Sequence, residues 1–211
     1  MRKKRFIVSL AFVAAFVLWT GMLCLIDVRP IGPQGSAVGF AAMNQFVHGL
    51  TGVHMALYTV TDWLGLVPLA VCVGFGLLGL IQWIGRRSVC RVDRDLLVLG
   101  GYYVVVMAVF LLFESVVINY RPILIEGVLE ASYPSSTTLL VMCVMPTAMM
   151  QLKDRIKNTL VRRILYAIIV GFVAFMVIGR LVSGVHWFSD IVGGALLSAG
   201  LVLMYSAFAG K

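Results

Sequence analysis

Gly179-Arg180-Leu181-Val182-Ser183-Gly184-Val185-His186-Trp187-Phe188-Ser189-Asp190 joins two hydrophobic runs, Ile164–Val182 and Ile191–Ala209. Each run is long enough to cross a bilayer as a helix, so the stretch reads as a polar turn at a membrane boundary. Charged and titratable groups are costly at such a place. One of them alone has an ordinary explanation as an anchored arginine, a boundary histidine or a helix-capping aspartate. A cation, an imidazole and a carboxylate within twelve residues call for a functional one. His186 and Asp190 stand four positions apart, which in the first turn of a helix puts both on one face. Asp190 would then hold the imidazole in one tautomer and leave the other ring nitrogen free to attack an electrophile. Arg180 supplies the planar, permanently charged fork that suits a phosphate.

Outward from this stretch the chain is overwhelmingly apolar. Of its 211 residues, 61% are hydrophobic and only 12% charged, and the mean hydropathy is +1.02. That balance excludes an ordinary soluble domain and predicts an integral membrane protein, with no nucleic-acid partner. The four cysteines (Cys24, Cys72, Cys90, Cys143) are scattered without metal-ligand or disulfide spacing and read as small packing residues. The first apolar run follows Arg2-Lys3-Lys4-Arg5, but it is long enough to span and has no clear small-residue cleavage site.

Six runs are predicted to span: Phe6–Ile26, Trp63–Ile84, Leu96–Ile118, Ser135–Leu152, Ile164–Val182 and Ile191–Ala209. Each holds roughly 18–23 residues, enough at about 1.5 Å per residue to cross a core about 30 Å thick. Pro146 interrupts the fourth and is expected to kink it. With the N-terminus in the cytoplasm, fourteen of the 17 Lys and Arg fall inside. These are residues 2–5, Arg86, Arg87, Arg91, Arg94, Lys153, Arg155, Lys157, Arg162, Arg163 and Lys211. Only Arg29, Arg121 and Arg180 remain outside, a strong positive-inside asymmetry. Arg121 and Arg180 therefore stand out as exceptions in need of a role. The segment 27–62 is too polar and too rich in Gly and Pro to span; it predicts turns, then a short interfacial helix up to about Leu50. His48 and His54 lie within reach of a site on that side.

Two further polar patches fall on the same outer face. Ile118-Asn119-Tyr120-Arg121-Pro122 ends the third run, and its proline enforces an extended or turning backbone. Ala131-Ser132-Tyr133-Pro134-Ser135-Ser136-Thr137-Thr138 opens the fourth. Proline followed by serines starts a helix, with exposed N–H groups and the positive end of the dipole. Two arginines, a helix N-terminus with serines, and an oriented histidine meet the needs of phosphoryl transfer, which rests on positioning and neutralisation of oxygen charge.

In order and spacing these patches resemble the type 2 phosphatidic acid phosphatases, membrane lipid phosphatases that share their site with the vanadium haloperoxidases. The family signature reads Lys-x6-Arg-Pro, then Pro-Ser-Gly-His, then Ser-Arg-x5-His-x3-Asp. Here the third part appears as Gly179-Arg180, His186 and Asp190, with glycine for the first serine. The first part matches at Arg121-Pro122, with Glu114 in place of the lysine. The second matches at Pro134-Ser135, with Ser136 for the glycine and Thr137 for the histidine. The resemblance implies an all-α, six-helix membrane bundle, forming one domain over residues 1–211, with its active site at the extracytoplasmic face. It implies that His186 attacks phosphorus, that Asp190 orients it, and that Arg121, Arg180, Ser135 and Ser136 hold the phosphate oxygens, with no metal or cofactor. Thr137 occupies the place of the histidine that protonates the leaving group, and threonine cannot act as a general acid near neutral pH. Glu114 cannot replace a lysine as a phosphate contact, though it can pair with an arginine. The expectation is a lipid phosphate or diphosphate phosphatase of the cell membrane, impaired by Thr137, with both termini cytoplasmic. The competing expectations are a catalytically silent binder of anionic lipid headgroups and, with less support, a small transporter.

Overall fold

The computed structural model describes residues 2–210, and Lys211, one of the basic residues assigned to the inner side, lies outside them. Eight α-helices account for most of the chain: α1 (Arg2–Leu25), α2 (Ala41–Thr51), α3 (Met55–Leu64), α4 (Leu66–Arg86), α5 (Arg94–Ser115), α6 (Ser136–Arg155), α7 (Thr159–Val182) and α8 (Phe188–Ala209). Among the described residues extended pairing is limited to isolated bridges, so the protein is all-α. Five stretches are long and apolar enough to cross a membrane, judged by length and composition: α1, α3 continued into α4, α5, α7 and α8. Leu18, Leu25, Ile81, Val104 and Ile178 are exposed along them. Such a surface needs lipid rather than water around it.

The six predicted spans are redrawn at two places. α6 is long enough to cross but is less apolar than the other five stretches, because it carries Thr137, Thr138, Thr147 and Gln151 and ends in Lys153-Asp154-Arg155. Protein surrounds it instead: α8, α7, α5 and α4 all pack on it, and those four polar side chains are buried. Most of their polar atoms are satisfied within the bundle. Thr147 Oγ1 donates to the carbonyls of Cys143 and Val144, and Gln151 Nε2 donates to the Tyr205 hydroxyl at 2.6 Å. Pro146 sits inside an uninterrupted helix. The second correction concerns 27–62. α2 is a short helix where one was expected, but α3 follows it and runs through Gly65 into α4. The second apolar stretch therefore starts at Met55 rather than Trp63, and its first ten residues belong to the site.

The core lies where α1 and α6 flank α8. Phe16, Leu99, Tyr133, Leu139, Leu197 and Leu201 form its centre, and a smaller cluster of Val141, Met145, Ile169 and Met176 seals α6 against α7. Both clusters lie beneath the ends of α6, α7 and α8 that carry the polar motifs. The fold thus holds three helix termini in fixed relation.

Candidate active site

Arg121 and Ser132 are set by one short antiparallel pairing. The Ser132 N–H donates to the Asn119 carbonyl at 2.9 Å and the Arg121 N–H to the Glu130 carbonyl at 3.0 Å. Tyr133 anchors this loop in the core, stacking on Phe16 and bonding its hydroxyl to Thr20 Oγ1 at 2.7 Å. The Trp187 indole N–H reaches the Tyr120 carbonyl at 2.8 Å, tying the loop to the turn before α8. Ser135 caps α6, its Oγ accepting from the Thr138 N–H, and its own N–H donates to the Asp190 carbonyl at 3.1 Å. All three patches seen in the sequence therefore converge, held mostly by backbone bonds.

His186 is buried and precedes α8 rather than sitting in its first turn. Asp190 Oδ2 is 3.8 Å from His186 Nδ1, beyond hydrogen-bonding distance. The link runs through Ser132, whose Oγ lies 2.5 Å from Asp190 Oδ2 and 3.0 Å from His186 Nδ1. A carboxylate only accepts, so the serine O–H donates to Asp190 and the serine oxygen accepts from Nδ1–H. This chain assigns the proton to Nδ1 and leaves Nε2 as a bare lone pair. His186 Nε2 is buried and has no hydrogen-bond partner among the described residues. Burial, reinforced by the positive charges of Arg121 and Arg180, pushes the imidazole pKa well below its usual 6.5. A neutral imidazole with a free lone pair is the form a nucleophile needs.

Arg180 is almost wholly buried and heavily engaged. Its Nε donates to Thr137 Oγ1 at 3.0 Å, Nη1 to Thr61 Oγ1 at 3.5 Å, and Nη2 to Asp62 Oδ1 at 3.0 Å. Arg121 Nε lies 3.1 Å from Glu130 Oε2, yet neither Nε nor Nη1 is aimed at an acceptor. The Tyr58 ring lies against both guanidinium groups, 5.0 Å from that of Arg180 and 5.8 Å from that of Arg121. α3 therefore covers both arginines. Gly179, where the signature has serine, allows this: a Cβ there would come within 2.8 Å of Thr61 Cγ2. Gly184, just past the end of α7, admits the link between α2 and α3. Its φ of 68° is left-handed, and a Cβ would fall 1.9 Å from the Gly52 carbonyl oxygen.

The sequence-predicted residues His186, Asp190, Arg121, Arg180, Ser135 and Thr137 come together, and Ser136 lies at the half-buried lip of the same helix start. Glu114 is exposed and, among the described residues, in no ion pair, so it does not neutralise an arginine. His48 and His54 brace the turn rather than face the arginines: His48 Nε2 bonds the Gly184 carbonyl and the His54 N–H bonds that of Ser183. Sequence reasoning missed Ser132, Tyr58, Thr61, Asp62 and Glu130. Ser132 stood inside a quoted motif, but nothing in one dimension sets it between His186 and Asp190. Among the described residues no three His, Cys, Asp or Glu side chains converge as a metal site. A cavity of about 660 Å³ between α4 and α5 is lined by residues such as Phe75, Trp83 and Tyr103. It contains none of the site residues and lies at the opposite end of α5.

The protein is thus an all-α helical bundle with membrane-spanning apolar helices that buries a histidine beside two arginines at converging helix ends. The chain belongs to the PAP2 superfamily, whose family model matches residues 100–211 and so takes in all three motif patches. The fold is similar to the crystal structure of the first transmembrane PAP2-type phosphatidylglycerolphosphate phosphatase from Bacillus subtilis. The two share 18% identity over 96% of each chain, with a TM-score of 0.52. No curated protein matches the sequence.

Proposed function

We propose that the protein is a lipid phosphate or diphosphate phosphatase that works through a phosphohistidine on His186. The observation that supports this most is the bare, buried His186 Nε2 in the field of Arg121 and Arg180, with Nδ1 tied through Ser132 to Asp190. In this reading Nε2 forms the bond to phosphorus as the phosphate–oxygen bond to the lipid breaks. The leaving oxygen takes its proton from water, and a water molecule then displaces the histidine to release inorganic phosphate. Arg121, Arg180, and the Ser135 and Ser136 end of α6 take the phosphate oxygens. Asp190 orients the nucleophile. Membership of the superfamily and the apolar helices that carry the site favour a membrane lipid as the substrate. Phosphatidylglycerol phosphate, phosphatidic acid and undecaprenyl diphosphate all carry phosphate at that depth, and phosphate release from a panel of the three identifies the preferred one.

A second reading is supported by Thr137. Its hydroxyl accepts from Arg180 where the signature has an acid histidine, so the chain can hold an anionic headgroup without turning it over. Trapping of phosphohistidine in denaturing detergent at alkaline pH separates the two readings: a labelled enzyme supports turnover, and its absence with every lipid supports a silent binder.

If Arg121 and Arg180 clamp one phosphate, alanine at either weakens vanadate binding by about 1.5–3 kcal/mol, the scale of charge-assisted hydrogen bonds. Lysine restores neither fully, since it lacks the fork. Calorimetric titration measures this, and unchanged affinity in both alanine variants assigns the arginines to packing.

The same reading places the site on the extracytoplasmic side. Ser132 and Ser183 are buried and unsuited to labelling, whereas Val128 in the same loop is 59% exposed. In a background without other cysteines, Val128→Cys reacts with an impermeant maleimide in intact cells. Native Cys90, at the other end, reacts only after permeabilisation. The reverse pattern inverts the topology.

A further inference from the structure

Both phosphate-facing arginines carry a carboxylate of their own. Asp62 is paired with Arg180 at 3.0 Å and Glu130 with Arg121 at 3.1 Å. The two pairs differ in kind. Asp62 makes an aligned hydrogen bond to the outer fork of Arg180, while the Arg121 N–H groups point elsewhere. Burial differs too: the Arg180 side chain is 2% exposed and that of Asp62 56%. A half-solvated carboxylate thus meets a sequestered guanidinium whose other two nitrogens are held by Thr137 and Thr61.

Asp62 reaches this position because α3 lies close on α7, over Gly179. The opposite side of α3 exposes Val60 and Trp63. One side of this ten-residue helix suits a membrane interface, and the other carries Tyr58, Thr61 and Asp62 onto the arginines. Met55–Leu64 is joined to α4 only through Gly65, where the chain turns without a long loop.

We infer that Asp62 is a resident anion on Arg180 that weakens the hold on any phosphate there, so that a phosphate is retained only when the apolar contacts of a lipid chain are added. This rests on the phosphatase reading of the same site. A free phosphate arriving at Arg180 exchanges one anion for another, so its gain is the difference between two similar ion pairs. A lipid phosphate undergoes the same exchange but adds apolar contact along its chains, which inorganic phosphate lacks. The same competition favours departure of the product. Once the lipid has left, inorganic phosphate faces Asp62 without any tail contacts to hold it. Asp62 touches no reacting atom in this scheme and acts through Arg180 as a positioning group.

The test is calorimetric titration of the full-length protein in detergent micelles with orthovanadate or inorganic phosphate, beside competition by a lipid monophosphate in mixed micelles. Asp62→Asn is expected to bind the inorganic anion about tenfold more tightly or better. Its lipid phosphate affinity rises by a similar factor, because the lipid displaces the same carboxylate. Asp62→Glu restores the original affinities. A purely structural role for Asp62 predicts the opposite sign, since loss of Arg180 alignment weakens both ligands. Gly179→Ala gives an independent route: its methyl group displaces Thr61, lifts α3 from Arg180, and tightens inorganic anion binding without changing any charge. Weaker or unchanged anion binding in both Asp62→Asn and Gly179→Ala overturns the inference. If anion affinity is indifferent to Arg121→Ala and Arg180→Ala, the clamp itself is wrong, which is a separate outcome.

Discussion

Alanine at His186 abolishes phosphate release from monophosphate and diphosphate lipids alike, a loss of roughly 10⁴–10⁶-fold on the scale seen when a nucleophile is removed. The reason is geometric. His186 Nε2 is the lone pair left bare by the Ser132–Asp190 chain, and none of the neighbouring groups can replace it. Hydroxyls and arginines surround it, and Asp62 and Glu130 are each paired to a guanidinium. Anion binding survives the substitution, since Arg121 and Arg180 are untouched. The pH profile offers a second check. Burial and the two guanidinium charges lower the folded pKa, so the reactive neutral form persists as pH falls through 6.5 and is lost only well below it. Followed by NMR, the His186 imidazole is therefore unprotonated across that value. A titration midpoint at 6.5 means the imidazole is solvated and the site is looser than described. Residual turnover in His186→Ala at wild-type rates removes the histidine from the chemistry.

Histidine at Thr137 has the opposite expected effect, a gain in turnover of about 10²-fold or more on monophosphate lipids, the usual contribution of a general acid. A lipid alkoxide is a strong base and needs a proton as its bond to phosphorus breaks. A phosphate leaving from a diphosphate is far weaker and needs it less, so the gain there is smaller. The protein as it stands is accordingly expected to favour diphosphates. Thr137 is buried at the first turn of α6, and its hydroxyl serves Arg180 as an acceptor rather than facing outward as a donor. The new imidazole forfeits that bond, so some weakening of phosphate affinity accompanies the faster step. Steady-state phosphate release from one monophosphate and one diphosphate lipid measures both changes. Equal rates for Thr137→His and the parent on both lipids mean that another group delivers the proton.

How much of this was legible from residues alone follows from what each feature depends on. Burial of apolar side chains in lipid is a local property of the chain, and it is written in runs such as Ile164–Val182. The membrane class and most helix positions were therefore readable by length and hydropathy. The polar motifs were readable because charged groups beside such runs are conspicuous, and helix N-termini have a chemical signature. α6 escaped a clean reading because its polar residues are solvated by other helices, which hydropathy does not register. α3 escaped because its ten residues are contiguous with an apolar stretch, and only packing against Gly179 reveals that one side faces the arginines. The interposed Ser132 and the carboxylates of Asp62 and Glu130 belong to the same group. Ser132 and His186 are 54 positions apart, and Asp62 and Arg180 are 118 apart. Such partners are chosen by which helix ends the bundle brings together. Sequence by itself determined the kind of protein and the residues able to do chemistry, since those follow from side-chain type and local spacing. Tertiary structure decided which lone pair is free and which arginine is already occupied, because both depend on distances of a few ångströms between segments remote in the chain.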